Sequence, residues 1–116
     1  MSTTQKSWIA LQEPKQLKEI IDRSFQQPVL IFKHSTSCGI SHAAHHHLEK
    51  NTPKLAEVVE FYYLDLLRFR NISNQIAQDF NVIHQSPQIL VLKNGKVSFH
   101  TSHHAIDAEQ VIKQFT

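Results

Sequence analysis

The sequence holds one cysteine, two glycines and no long apolar run, and these shortages exclude several classes of protein. A single cysteine, Cys38, cannot form a disulfide within the chain, so any redox chemistry needs a thiol on another molecule. The longest apolar runs, around 29–32 and 89–92, are far shorter than the roughly 20 residues of a membrane-spanning helix. The N-terminal residues MSTTQK lack the apolar core of a secretory signal, so we expect a cytoplasmic location and no membrane partner.

Charge and composition narrow the class further. Twelve basic and ten acidic residues give a formal net charge of +2, and no Lys/Arg block is present that could follow a phosphate backbone. Nucleic acid is therefore not expected as a partner. A chain of 116 residues with 41% hydrophobic content and no linker or repeat predicts a single domain, residues 1–116, that folds without a metal or disulfide scaffold.

Strand-like and helix-like apolar patterns alternate along the whole chain. They predict the order β-α-β-α-β-α-β-β-α, with a short edge strand near Trp8 and a central strand over 29–32 that is buried on both faces. Asn94-Gly95 between two strand-like runs predicts a hairpin, because both turn positions need a positive φ. The prediction is an α/β fold with a mixed sheet of four to five strands and helices on both faces.

The spacing of apolar residues also predicts which side of each helix faces the core. The first helix is expected to open at Glu13-Pro14 and to bury Phe25. The second helix, after Cys38, is expected to end at 51–53, and the last helix to begin at Asp107. In the second helix the pattern predicts an inner face of five residues: Ile40, Ala43, Ala44, His47 and Leu48. It predicts an outer face of four residues: His42, His45, His46 and Glu49.

Cys38 comes just past the predicted central strand and in the first turn of the next helix. Ligands of open α/β sheets collect beyond the carboxyl ends of the strands, and the unpaired N–H groups of a helix N-terminus favour a thiolate over a thiol. A free cysteine is often a buried, inert residue, but the polar and small neighbours here are a poor setting for a core position. We therefore predict a reactive Cys38, with substrate contacts from the residues around it: Thr36, Ser37, Gly39, Ile40 and Ser41.

The residue at position 41 limits what a reactive Cys38 can do. A dithiol oxidoreductase would carry its second cysteine there, and this chain has Ser41. A serine cannot resolve a mixed disulfide, so a dithiol protein-disulfide reductase is excluded. Exchange by one thiol, completed by a thiol from outside, stays open.

Ser86-Pro87 and two histidines are further candidates for the site. Proline at the entry to a strand is unusual, because it cannot donate to the ladder. A cis bond would leave the N–H and C=O of Ser86 free to pair with a bound thiol compound, whereas a trans proline would simply begin an edge strand. His34 and His84 are candidate acid–base helpers, with a solvated or packing histidine as the alternative.

Residues 32–41, FKHSTSCGIS, resemble the active-site stretch of the YtxJ-type monothiol bacilliredoxins, a branch of the thioredoxin-like superfamily. Further matching stretches follow in the expected order, at 62–66, 71–73, 86–88 and 94–95. The resemblance implies a thioredoxin fold with cis Pro87 facing Cys38, and no cofactor. It also implies that Cys38 takes bacillithiol from S-thiolated client proteins as a mixed disulfide, which a free low-molecular-weight thiol then releases. Gly39 departs from the family pattern, in which a proline often follows the cysteine.

Two other functions fit parts of the sequence. Cys38-Gly39-Ile40-Ser41 differs at one position from the CGFS signature of monothiol glutaredoxins, which bind glutathione and a bridging iron–sulfur cluster. Those proteins carry Gly-Gly-Asp after the hairpin, and this chain has no glycine after Gly95. His42 and His46, with Cys38 one turn earlier, could instead chelate zinc or copper in a non-enzymatic metal-binding module. No second cysteine completes a known signature, so no metal is expected.

Overall fold

The computed structural model describes residues 8–115 and contains one mixed five-stranded sheet with helices on both faces. The strands are β1 Ile9–Ala10, β2 Val29–His34, β3 Glu60–Asp65, β4 Gln88–Lys93 and β5 Lys96–Ser102. The helices are α1 Gln16–Arg23, α2 Gly39–Lys50, α3 Thr52–Leu55, α4 Arg70–Asp79 and α5 Ala108–Lys113, with a 3-10 turn at His103–Ala105. The predicted α/β architecture is confirmed.

The strand order β1-β3-β2-β4-β5 puts β2 at the centre of the sheet. Strands β1 and β2 both run parallel to β3, whereas β4 pairs antiparallel with β2 and with β5. All six residues of β2 are buried, as its continuous apolar run predicts. The central strand is therefore the part of the sheet that is most completely enclosed.

Successive residues of β2 serve opposite faces of the sheet. Ile31 belongs to a buried cluster with residues of α1 and α4, and Phe32 to a second cluster with residues of α2, α3 and α5. The alternation continues to the end of the strand. Lys33 reaches Ser73 in the α4 layer, and His34 reaches Ser41 in the α2 layer. Two buried polar side chains thus lie at the base of the loop that follows β2, one in each layer.

The hairpin between β4 and β5 turns at Asn94 and Gly95, whose φ angles are 54° and 80°, as the sequence predicts. The turn is attached to α1, because the N–H groups of Asn94 and Gly95 donate to the carbonyl and to the Oγ of Ser24, each at 2.8 Å. The predicted burial of Phe25 is wrong. Helix α1 ends at Arg23, Ser24 is used to hold the hairpin, and Phe25 lies 61% exposed over Gly95.

The predicted inner face of α2 is correct for Ala44 and Leu48, which are buried, and His47 is half-buried. It is wrong for Ile40 and Ala43, which are exposed, and it leaves out the buried Ser41. Ser41 faces inward because its hydroxyl is hydrogen-bonded within the preceding loop, which a pattern of apolar residues does not register. Of the residues predicted to face outward, three are exposed and one is half-buried, in order His42, His46, Glu49 and His45.

The predicted end of α2 at 51–53 is confirmed, because α2 ends at Lys50 and Asn51 is its C-cap residue. The chain then continues as a separate helix, α3, with Pro53 in its first turn, where a missing N–H costs nothing. The predicted opening of α1 at Glu13-Pro14 is too early. Helix α1 begins at Gln16, whose Oε1 accepts the N–H groups of Gln12 and Glu13 at 2.8 and 2.9 Å. None of the helices within residues 8–115 is long and apolar enough to cross a membrane.

Candidate active site

Cys38 lies at the junction of the β2 loop and α2. Its backbone is extended, with φ −114° and ψ 125°, and it is the N-cap residue of α2, although its own side chain makes no capping hydrogen bond. The N–H of Cys38 donates to the carbonyl of Ser35 at 3.2 Å, and its carbonyl accepts the N–H of His42 at 3.1 Å. Cys38, a half-buried residue, therefore lies at the positive end of a twelve-residue helix, where N–H groups favour a negatively charged partner.

The surface around the thiol is open. Thr36, Ser37, Gly39 and Ile40, all predicted to contact a substrate, are exposed. A Cβ placed on Gly39 would meet no heavy atom of residues 8–115 within 4 Å, so packing within this part of the chain does not require glycine at this position. A molecule that approaches Cys38 can therefore reach these four residues without displacing any part of the protein described.

Ser41 occupies a different position from the other predicted contacts. Its side chain is fully buried, and its Oγ lies 2.7 Å from Nδ1 of His34 and accepts the N–H of Ser35 at 2.8 Å. A residue without exposed surface cannot line the open site, so the expected substrate contact by Ser41 is replaced by a structural role. The hydroxyl closes the loop of residues 35–41 on itself and fixes Cys38 relative to the end of β2.

Ser86-Pro87 is a cis peptide bond, as the resemblance implies. Lys33 pairs with Gln88 across antiparallel β2 and β4, so the end of β2 and the start of β4 lie at the same edge of the sheet. Cys38 follows one of these ends and Pro87 precedes the other. Within residues 8–115 the N–H and C=O of Ser86 make no hydrogen bond, and two backbone groups are thus free at the edge that carries the thiol.

His34 is buried in an aromatic cluster. Its ring centroid lies 5.0 Å from that of His42, 4.9 Å from that of His45 and 5.5 Å from that of Tyr63. Burial, and then the neighbouring His45 and His42, lower the pKa of His34 to about 4 against the opposing effect of Asp65. A neutral, enclosed imidazole that binds Ser41 is placed to hold the loop rather than to exchange protons with a substrate.

His84 lies in the opposite layer from His34. Its Nδ1 is 3.3 Å from Nζ of Lys33 and 3.3 Å from Oγ of Ser73, while the ring as a whole is exposed. Desolvation of the inner part of the ring, then the charges of Lys33 and Arg70, lower the pKa of His84. The structure therefore does not bring the two candidate histidines together, because the sheet separates them.

Two polar residues of this region, Lys33 and Gln88, contact the loop before Pro87, and the sequence analysis does not predict these contacts. Lys33 is fully buried, and burial lowers its pKa to about 8. Its Nζ donates to the carbonyl of Ser73 at 3.1 Å, and Nε2 of Gln88 donates to the carbonyl of Ile83 at 3.1 Å. The sequence does carry one signal for these contacts: Lys33 directly follows the apolar run of a strand that is predicted to be buried on both faces.

No group of three or more His, Cys, Asp or Glu side chains within residues 8–115 is arranged to hold a metal ion. Nε2 of His42 donates to the carbonyl of Thr36 at 2.8 Å, so this nitrogen is already used inside the protein. The pairing of His42 and His46 that the metal-binding hypothesis needs is not supported in the part of the chain that is described.

The strand order, the lone cysteine at the start of α2 and the cis-proline before β4 define a thioredoxin-fold protein with a single-thiol site. Residues 9–111 match the family described as monothiol bacilliredoxin BrxC. The chain belongs to the monothiol bacilliredoxin family, which confirms the resemblance, and its chemistry is thiol–disulfide redox chemistry. The glutaredoxin alternative is set aside with that assignment.

Solved structures agree on the fold. A thioredoxin-fold protein described as a candidate oxidoreductase is 28% identical with a TM-score of 0.79 and 90% coverage of both chains. The thioredoxin of Schistosoma mansoni is 19% identical, with a TM-score of 0.74 and coverage of 98% of this chain and 100% of that one. The thioredoxin Mala s 13 of Malassezia sympodialis is 22% identical, with a TM-score of 0.73 and coverage of 98% and 95%.

Proposed function

We propose that this protein removes bacillithiol, a low-molecular-weight thiol, from S-thiolated client proteins through Cys38. The observation that carries the proposal is the combination of one half-buried cysteine with exposed neighbours, at a helix N-terminus, and a buried serine in the place of a second cysteine. Such a site can accept a thiol group and has no thiol of its own with which to release it. We place the reaction in the cytoplasm, where small thiols are kept reduced.

The exchange takes two balanced steps. The Cys38 thiolate attacks the bacillithiol sulfur of the mixed disulfide, the client cysteine leaves as a thiolate and takes a proton from water, and Cys38 carries the bacillithiol as a new disulfide. A free low-molecular-weight thiolate then attacks the bacillithiol sulfur, forming a disulfide of the two small thiols and releasing the Cys38 thiolate. No cofactor enters either step.

The proposal is tested with a peptide that carries bacillithiol on its one cysteine. Wild-type protein should release the peptide thiol and gain the mass of one bacillithiol on Cys38. The Cys38→Ser variant should do neither, and Ser98→Ala, at an exposed serine of β5 outside the site, serves as the matched control and should keep both. Release no faster than that given by a free cysteine peptide, or release that survives in the serine variant, would rule the proposal out.

The same assay addresses the choice of thiol. A peptide glutathionylated on the same cysteine is offered in place of the bacillithiolated one. Slower release and a smaller adduct on Cys38 with glutathione support bacillithiol as the preferred group. Equal rates would leave a monothiol exchange protein without preference between these two compounds, which contradicts the substrate named here.

A further inference from the structure

A group of four polar residues, of which Lys33, Ser73 and Gln88 are buried and His84 is exposed, holds the segment that leads to Pro87. Nζ of Lys33 donates to the carbonyl of Ser73 at 3.1 Å and lies 3.3 Å from Nδ1 of His84. Oγ of Ser73 is also 3.3 Å from that nitrogen, and Nε2 of Gln88 donates to the carbonyl of Ile83 at 3.1 Å. Two consecutive residues of an irregular segment are thus fixed from β2, α4 and β4.

The donors settle which nitrogen of His84 carries the proton. A lysine ammonium can only donate, so Nδ1 of His84 is the acceptor and the neutral ring has its proton on Nε2. Within residues 8–115, Nε2 makes no hydrogen bond. The inner nitrogen is therefore committed to holding the segment, and a proton acceptor is not available on the ring in this arrangement.

Burying these polar side chains costs folding free energy. Lys33, Ser73 and Gln88 are each at most 1% exposed, and the Oε1 of Gln88 has no hydrogen-bond partner among the residues described. A buried charge and an unpaired buried acceptor both destabilise a fold relative to apolar side chains of similar size. The hydrogen bonds of the Lys33 and Gln88 side chains end on Ser73 of α4 and on residues 83–84. We therefore attribute these two polar residues to the placement of that segment and not to the stability of the core.

We propose that His84 is a positioning residue: Lys33 and Ser73 hold its Nδ1 so that Ser86, two residues later, presents its free N–H and C=O to the thiol compound bound at Cys38. This assigns Lys33 and Gln88 to the same task. It also replaces the acid–base role predicted for His84, because the task needs an acceptor at Nδ1 and no proton transfer. The inference rests on the proposed exchange reaction.

The test compares two substitutions of His84 that differ only in the acceptor. In His84→Asn the amide Oδ1 takes the place of Nδ1, whereas His84→Leu fills a similar volume without an acceptor. With the bacillithiolated peptide, the asparagine variant should match wild type within twofold in kcat and KM and keep the same pH–rate profile. The leucine variant should raise KM about tenfold or more, the scale of a misplaced binding group.

Two further measurements separate positioning from general damage. Alkylation of Cys38 by iodoacetamide needs no contact with Ser86, so its rate should be unchanged in both His84 variants. Lys33→Met should raise KM as His84→Leu does, and the double variant should be no worse than either single one. Asn74→Ala, an exposed neighbour of Ser73 on α4, is the matched control and should behave as wild type.

The outcomes distinguish this inference from the proposed function. If wild-type protein releases thiol and the leucine and methionine variants equal it, the positioning role is refuted while the exchange reaction stands. Equal loss in the asparagine and leucine variants, or an altered pH–rate profile with asparagine, would return His84 to proton transfer. If wild-type protein releases no thiol, both proposals fail together.

Discussion

Acidification should weaken this fold through His34. The imidazole is 1% exposed, and its pKa falls from 6.5 to about 4 because of burial first and then the neighbouring His45 and His42. Between these two values an unfolded chain binds a proton at this histidine and the folded protein does not. The stability that His34 contributes in its neutral form is thus fully present above pH 6.5 and is lost as the pH falls through 4.

The size of the effect follows from the shift. One bound proton changes the free energy of unfolding by about 1.4 kcal/mol per pH unit, so the whole window corresponds to about 3 kcal/mol for His34. That is a large part of the roughly 5–15 kcal/mol by which domains are stable. The contribution of His34 is measured as a difference between two proteins that differ only at this residue.

The measurement is urea unfolding at pH 7, 6, 5 and 4 for wild type and for His34→Asn. Asparagine can still bind the Ser41 hydroxyl but cannot be protonated, so wild type should lose up to about 3 kcal/mol more than the variant over the series. His46→Asn, at an exposed position of α2, should follow wild type. Parallel curves for wild type and His34→Asn would refute a buried, neutral His34.

Three substitutions test other parts of the description by urea unfolding at pH 7. Gly39→Pro should raise the free energy of unfolding by about 0.5–1 kcal/mol, because Cys38 already has the extended backbone that precedes proline and no atom fills the space; a lower value would contradict this. Gly95→Ala should cost about 1–2 kcal/mol, since φ is +80° and the new Cβ would lie 2.9 Å from Cζ of Phe25; an unchanged midpoint would exclude the strained turn. Ser41→Ala should cost about 1–3 kcal/mol by leaving a buried N–H without its acceptor, and a neutral result would deny the loop bond.

The fold could be predicted because its signals are local. The run in β2 is continuous and apolar, Asn94-Gly95 fits only a tight turn, and the helices after Cys38 and Asp107 begin where the sequence indicates. The sequence predicts Cys38 and Pro87 as site residues for the same reason, each from its immediate neighbours. Their placement at one edge of the sheet follows from the pairing of β2 with β4.

The rest depends on contacts that sequence spacing does not register. The apolar spacing in α2 predicts Ile40 on the inner face, but the helix turns Ser41 inward because the Ser41 hydroxyl accepts the N–H of Ser35 and lies 2.7 Å from Nδ1 of His34. Lys33 and His84 are 51 residues apart and meet only once the sheet and α4 have assembled. Phe25 fits an apolar stripe that would have continued, but α1 stops before it. Each of these errors arises from a hydrogen bond of a polar side chain, or from a helix end that such a hydrogen bond fixes.

Strand β2 packs against the helices on both faces of the sheet, because its residues belong to both buried clusters. Loss of the helices from either face would therefore expose β2 to water. Opening of this strand is therefore tied to unfolding of the whole domain, whereas β5, an edge strand without a buried residue, can exchange its amide protons through small local motions. The loop that carries Cys38 follows directly on β2, the strand that we expect to unfold last. We therefore expect the Cys38 side chain to keep its orientation while the edge of the sheet at β5 undergoes local motions.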